Sequence, residues 1–450
     1  MSFISLEFVL LFLLCFTSYH FISDKGRKLV LLAASGVFIG YFNPAFLVTA
    51  LVVSLFTYGA AILIEQAREK GRGFRLIYWG GISCLVLCWI GFRYANRLTG
   101  DSGFIFPLGM SFYTFQAIGY LTEVYWEEEK AERRPIDFLL YMLLFMKFLS
   151  GPIERSADLL PQVRKLSPAS YSMMTYGLKL IVVGLVKKLV LADHIAPYID
   201  GVFSSMHTAS GVQLLMACLL YPIELYADFS GYTDMAIGIG MLFGLKLSSN
   251  FAHPFAAQTT AEFWRRWHMS LGTWFRDYVY IPLGGSKKGE GRTYLNLLVV
   301  WLFTGLWHGS TLNFLLWGLF LFALISLERL GWGKVLRRSQ VISRLYMLLV
   351  IPLSWMLFAI PSLKDIGSYI GRLFAFSGGT AVHARDFLVY GRQYAVVLVI
   401  GLLVSTPLPE KLWRRIRTSP LGTVLLLVLF WVCVYCMAVA TNDPFMYFSF

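Results

Sequence analysis

Two histidines stand where a polar ring is costly to keep. The stretch WLFTGLWHGSTLNFLLWG (301–318) sets His308 between a tryptophan and a glycine inside an otherwise apolar run. A second stretch, FWRRWHMSLGTWF (263–275), sets His268 among aromatic residues. A polar group buried without partners costs on the order of a few kcal/mol, so an imidazole in such surroundings needs a task. A neutral imidazole, with an ordinary pKa near about 6.5, can take a proton from a hydroxyl. Such a ring can serve as a general base at a reacting group. Gly305 and Gly309 flank the Trp-His pair and let backbone or substrate come close. Arg265 and Arg266 precede His268, and Lys287 and Lys288 follow in the next polar connector. Guanidinium forks match phosphate geometry, and the same residues could equally anchor the chain at a membrane surface. His253, His268 and His308 fit no compact ligand spacing, and Glu262 is the one carboxylate near them in sequence, so no metal is expected.

The elements that hold these residues are set by composition. The 450 residues are 57% hydrophobic and 14% charged, with mean hydropathy +0.63. Soluble domains carry roughly 25% charged residues. Apolar runs recur at 29–42, 44–64, 76–92, 104–126, 137–150, 173–193, 212–227, 294–307, 311–330, 345–360, 389–406 and 420–440. A helix needs roughly 20 residues to cross the hydrocarbon layer, which gives about ten to twelve crossings, the shorter runs being tilted or half-spanning. The expected architecture is an all-α polytopic membrane protein, a single domain over 1–450.

Net charge +13 gathers in short connectors: Lys25, Arg27 and Lys28; Arg68, Lys70, Arg72 and Arg75; Lys130, Arg133 and Arg134; Lys411, Arg414, Arg415 and Arg417. The positive-inside rule places these loops in the cytoplasm. Loop-sized clusters between spans are unlike the single basic stripe of a nucleic-acid binder, so no nucleic acid is expected. The opening MSFISLEFVLLFLLCF has no basic n-region and no small-residue cleavage site, and reads as a retained span with Met1 outside. The last basic loop then sends 420–440 outward and leaves the tail 441–450 external. Cys84 with Cys88 and Cys433 with Cys436 read as helix packing rather than redox pairs.

Residues 246–285 break the spanning pattern. They carry Arg265, Arg266, His268, Arg276 and Asp277, too polar for a lipid-exposed crossing. One or two short helices over 260–280 are predicted, dipping in from the cytoplasmic side. Helical spacing there puts Trp264, Trp267, His268 and Leu271 on one face and pairs Glu262 with Arg266. Glu224, Asp228 and Asp234 also fall within an apolar run. Pairing with buried arginines is the favoured reading, a proton relay the other.

The stretches GYTDMAIGIGMLFG (231–244), FWRRWHMSLGTWFRDYVYIPLGG (263–285) and GLWHG (305–309) together resemble the membrane-bound O-acyltransferase family, MBOAT. FPLGMSFYTFQAIGYLTEVY (106–125) and FLSGPIER (148–155) fit the same pattern, so the resemblance runs over about 104–330. Its nearest likeness is to membrane subunits that O-acetylate alginate and other cell-surface polysaccharides. The resemblance implies a ring of helices around a central funnel with the two histidines at its narrow point. It assigns the catalytic role to His308 and a companion role to His268. It implies acetyl-CoA as donor, its phosphates met by Arg265, Arg266, Lys287 and Lys288. It also implies an extracytoplasmic SGNH-type acetyltransferase as partner, a cell-surface polysaccharide as acceptor, and the bacterial inner membrane as location.

The chain stops at PFMYFSF. Such aromatics commonly form an interfacial belt. Similar endings in the family offer their tyrosine to the funnel, so Tyr447 is a candidate acyl relay. Proton transfer from phenol to imidazole is uphill by about 5 kcal/mol, within what positioning can offset. The rival readings are D-alanyl or another acyl transfer on the same fold and, in a different class, a transporter of polysaccharide or lipid-linked substrate, against which the absence of an inverted repeat counts.

Overall fold

The structure is a computed structural model that describes residues 1–99, 105–149, 151–374, 384–404, 406–416 and 419–439. Every regular element among them is helical. In chain order they are α1 Leu6–Phe21, α2 Asp24–Phe42, α3 Pro44–Glu69, α4 Phe74–Thr99, α5 Met110–Trp126, α6 Pro135–Leu143, α7 Phe145–Phe148, α8 Ser156–Arg164 and α9 Tyr171–Leu185. Then follow α10 Asp193–Ser204, α11 Gly211–Leu242, α12 Thr260–Arg266, α13 Met269–Phe275, α14 Glu290–His308, α15 Leu312–Leu327 and α16 Gly333–Arg338. The last are α17 Gln340–Ala359, α18 Leu363–Phe374, α19 Ala384–Val404, α20 Leu408–Ile416 and α21 Pro420–Val439.

Six stretches among the described residues are long and apolar enough to cross a membrane: Pro44–Glu69, Phe74–Ala95, Gly211–Leu242, Leu312–Arg338, Gln340–Ala359 and Pro420–Val439. That is fewer than the ten to twelve expected, and the reasons are local. The run 137–150 breaks at Leu144, whose φ of −46° and ψ of 117° end α6 and start α7. The run 29–42 belongs to α2, whose first turn carries Asp24, Lys25, Arg27 and Lys28. The run 173–193 passes from α9 into a π-turn, Val186–Ala192, that carries two lysines.

The chain divides into two compact units, 1–183 with 232–249, and 184–231 with 250–450. In the first, α3 starts on Pro44 at its first helical position, capped by Asn43 Oδ1 accepting from Ala45 N at 2.9 Å. Charges collect at one end of its helices. Lys28 at the start of α2 pairs with buried Asp137, and Arg133 pairs with Glu65. Arg164 pairs with Glu132 at 2.6 Å, and Arg68 with Glu127 at 3.3 Å. Gly109 opens α5 with φ +73°, and a Cβ there would lie 2.7 Å from Phe148 O, so only glycine lets the two segments meet.

The second unit is built on aromatic packing. Trp264 lies against Trp301, Trp317 and Trp355 with ring centroids 5.5, 5.3 and 5.6 Å apart. At its polar end α14 is tied to the turn after α15, and α17 to the turn before α12. Glu290 accepts from Arg329 at 3.1 Å, and Arg344 donates to Phe255 O at 3.1 Å.

Candidate active site

His308 is the last helical residue of α14 and is 8% exposed. Eighteen residue steps separate it from Glu290 at the polar end, roughly 27 Å of helix at about 1.5 Å per residue. Its ring meets Trp317 at 5.2 Å and Phe358 at 4.9 Å, both edge-on, with Phe314 stacked at 6.4 Å. Asn313 fixes the turn behind it. Its Nδ2 donates to Phe358 O at 2.9 Å and Leu357 O at 3.2 Å, while Thr311 donates to its Oδ1. The start of α15 is thereby fastened to the end of α17 beside the imidazole.

The glycines of this stretch serve helix packing. A Cβ on Gly305 would lie 2.5 Å from Phe314 O, and one on Gly318 would lie 2.4 Å from Trp301 O. A Cβ on Gly309 would enter the Phe314 ring at 2.1 Å. So α14 and α15 touch backbone to backbone where the sequence alone left open whether backbone or substrate approached.

His268 is 3% exposed and sits between α12 and α13 rather than on one continuous helix. Its φ of 46° and ψ of 55° are left-handed, a conformation that costs a non-glycine residue on the order of 1 kcal/mol or more. The expected single face of Trp264, Trp267, His268 and Leu271 is therefore divided: Trp264 lies on α12, Trp267 and His268 in the break, and Leu271 on α13. Asn250 holds the break by accepting from Met269 N at its carbonyl, 2.9 Å, and from Ser270 N at its side chain, 3.0 Å. The His268 ring lies 4.9 Å from Phe229 and 6.3 Å from Trp307, and Trp307 is 4.4 Å from His308. The two histidines thus share one aromatic neighbour.

The start of α12 is held from the turn that follows α15. Glu328, 7% exposed, accepts from Thr260 N at 2.5 Å, Ala261 N at 3.0 Å and Tyr346 Oη at 3.0 Å. Two of the amides that any helix start leaves unsatisfied are met by one carboxylate. Glu328→Ala is expected to destabilise by about 2–4 kcal/mol, because hydrogen bonds to a charged acceptor are lost and the donors stay buried. Thermal unfolding in detergent measures this, and Glu328→Gln, which keeps an acceptor, should recover part of it.

The predicted cationic edge separates into two kinds. Arg266 is committed to Glu262 by the expected i,i+4 pair, and Glu262 also accepts from Gln258 N at 2.9 Å. Arg265, Lys287 and Lys288 are exposed and make no ion pair among the described residues. Asn296 and Arg292 hold the loop before α14 by donating to Gly285 O at 2.9 Å and Leu283 O at 3.0 Å. His253 lies against Glu410 at 3.2 Å. Of the acids in α11, Asp228 pairs with Lys188 at 2.8 Å, so the partner is a lysine rather than an arginine. Asp193 joins the same lysine at 2.8 Å. Tyr447 lies outside the described residues. Asn250, Asn313 and Glu328 carried no signal in the sequence, since each acts on a segment distant along the chain.

Residues 127–364, which contain both histidines, match the family described as MBOAT, membrane-bound O-acyltransferase. The protein named Probable alginate O-acetylase AlgI from Pseudomonas putida is 31% identical over the whole of both chains. Its namesake from Pseudomonas aeruginosa is 34% identical over 90% of this chain and 81% of its own. The peptidoglycan O-acetyltransferase of Helicobacter pylori is 31% identical over 80% of this chain and 77% of its own. The chain therefore belongs to the membrane-bound O-acyltransferase family, as a multi-pass membrane protein and an O-acyltransferase.

Proposed function

We propose that this enzyme takes an acetyl group from cytoplasmic acetyl-CoA and passes it across a bacterial inner membrane toward a cell-surface polysaccharide. The observation that carries the reading is the His308 imidazole, buried in an aromatic wall at the far end of α14 from the charged connectors. Similarity over the whole chain to a protein named for alginate O-acetylation, and over 80% of it to one named for peptidoglycan O-acetylation, supports acetyl as the group and polysaccharide as the acceptor class. The D-alanyl reading has weaker support: the teichoic acid D-alanyltransferase of Bacillus subtilis is 29% identical over 47% of this chain.

In the proposed reaction His308 takes the proton of an acceptor hydroxyl as its oxygen attacks the thioester carbonyl. The tetrahedral intermediate collapses with cleavage of the carbon–sulfur bond, and the imidazolium returns its proton to the leaving thiolate of CoA. His268 supports that end of the site across Trp307. Arg265, Lys287 and Lys288, exposed and in no ion pair among the described residues, are the groups able to meet the donor's phosphates, whereas Arg266 is held by Glu262. The basic connectors support a cytoplasmic donor side, with both termini outside. A single domain of ten to twelve crossings around a funnel, with an extracytoplasmic SGNH-type partner, completes the arrangement.

The attacking hydroxyl in this scheme is the phenol of Tyr447, which carries the acetyl outward to the partner. Purified protein with radiolabelled acetyl-CoA tests it. Label on the wild-type protein and none on Tyr447→Phe supports the relay. Unchanged transfer by Tyr447→Phe overturns the relay and leaves the base. Label from a D-alanyl carrier protein but not from acetyl-CoA overturns the donor.

A further inference from the structure

The short helix α20, LPEKLWRRI, is nine residues long. At about 14 Å it cannot cross a hydrocarbon layer of about 30 Å. Its depth is set by its neighbour. α21 starts at Pro420, four residues on, and is long and apolar enough to span. A helix joined so closely to the mouth of a span lies at the level of the lipid headgroups. Its sequence is divided lengthwise. Leu408, Leu412 and Ile416 recur every four residues and form one row, with Pro409 and Trp413 beside it. Lys411 and Arg415, also four apart, form the adjacent row on the other flank, and Glu410 and Arg414 lie beyond them. The apolar row is not taken up by packing, since Leu408 is 46% exposed and Leu412 51%. Arg414 pairs with Glu410, whereas Lys411 and Arg415 are exposed and make no ion pair among the described residues. The helix is also fastened to the segment that carries His268. Glu410 Oε2 lies 3.2 Å from His253 Nε2, and the His253 carbonyl accepts from Arg266 Nη1 at 3.4 Å. Ala252 N donates to the Arg266 carbonyl at 3.0 Å. Residues 250–256 thus join α20 to α12 and to the break that follows it.

We propose that α20 lies flat on the membrane surface and binds anionic phospholipid, with its leucines among the acyl chains and Lys411 and Arg415 at the headgroup phosphates. The two adjacent rows match the two layers of such a surface. Exposed leucines gain by leaving water, and the cations beside them reach up along their own apolar stems to the phosphates. A zwitterionic surface would take the leucines but offer the cations no net counter-charge. A soluble phosphate ligand would meet the cations and leave the leucines in water. An anionic bilayer satisfies both rows at once. Through Glu410 and His253, the lipid then sets how firmly residues 250–256 are held.

The test uses the full chain in lipid nanodiscs, with hydrogen–deuterium exchange read by mass spectrometry. Discs of phosphatidylcholine alone are compared with discs that also contain phosphatidylglycerol. Exchange over 408–416 is expected to slow by about fivefold or more with phosphatidylglycerol, the gain from a single basic residue at an anionic surface. The slowing should shrink at high salt. Lys411→Gln combined with Arg415→Gln removes two charges that make no ion pair within the described protein. That variant should lose the difference between the discs while keeping the helical circular dichroism of the wild type. Leu412→Gln should speed exchange in both kinds of disc, because the apolar row acts without regard to lipid charge. Exchange over 250–256 should follow that of 408–416; slowing confined to 408–416 keeps the lipid site and overturns its link to that segment. Equal exchange in the two discs overturns the proposal. So does a phosphatidylglycerol effect that survives the double variant, or an unchanged rate in Leu412→Gln. Protection given by acetyl-CoA in phosphatidylcholine discs, and not by phosphatidylglycerol, would assign the cations to a soluble phosphate and overturn it as well.

Discussion

Replacing His308 by alanine is expected to lower acyl transfer by about a hundred- to ten-thousandfold, the range that a positioned general base contributes. Alanine also empties part of the wall formed with Trp317 and Phe358. Deleting so much buried ring costs roughly 2–4 kcal/mol, so the alanine variant mixes chemistry with packing. His308→Gln separates them, since it fills most of the volume yet cannot act as a base near neutral pH. CoA release should fall by a similar factor in both variants, with the unfolding midpoint of the glutamine variant closer to wild type. His268→Gln should lose less activity, because in the proposed reaction that ring takes no proton. If His268→Gln loses as much and His308→Gln keeps its rate, the base is His268 and the assignment reverses.

His308 stands out as a candidate because its whole signal is local: an imidazole, two flanking glycines and an apolar run within eighteen residues (301–318). The supports were not readable, because each is a contact between distant segments. Glu328 reaches residues 67 and 68 positions earlier, and Asn313 reaches 44 and 45 positions onward. Sequence carries no period for such pairs. Six of the apolar runs are matched by long apolar helices among the described residues, and others are interrupted for a related reason. Hydropathy registers composition, and it is blind to a dihedral change such as that at Leu144, which divides one apolar run into two short helices. The left-handed turn at His268 is the same kind of case: a periodic pattern continued through the position where the backbone stopped being helical. All-helical membrane character and the Glu262–Arg266 pair, which need only composition and i,i+4 spacing, were legible.

Adding one methyl group at Gly305 should be nearly as damaging as removing the imidazole one turn later. The obstacle to a Cβ there is Phe314 O at 2.5 Å, with the Phe314 carbonyl carbon at 3.2 Å and Leu315 Cα at 3.4 Å. All three are backbone, so no rotamer change relieves the clash and α15 has to move away from α14. Overpacking of this kind costs about 1–3 kcal/mol. The activity loss should be larger than that stability loss implies. His308 ends α14 three residues beyond Gly305, and a displacement near 1 Å at a reacting group can cost about a hundredfold. Gly59→Ala in α3 is the control, because a Cβ there meets nothing within 4 Å, and its stability should lie within about 1 kcal/mol of wild type. Gly309→Ala supplies a second contrast. Its obstacle is the Phe314 side chain at 2.1 Å, so Phe314→Ala should restore much of the stability of a Gly309→Ala variant. The same second change should do nothing for Gly305→Ala, whose obstacle is the carbonyl that remains. Rescue of both variants by Phe314→Ala, or wild-type activity in Gly305→Ala, would show that α15 can yield, and that close helix contact is not what fixes His308.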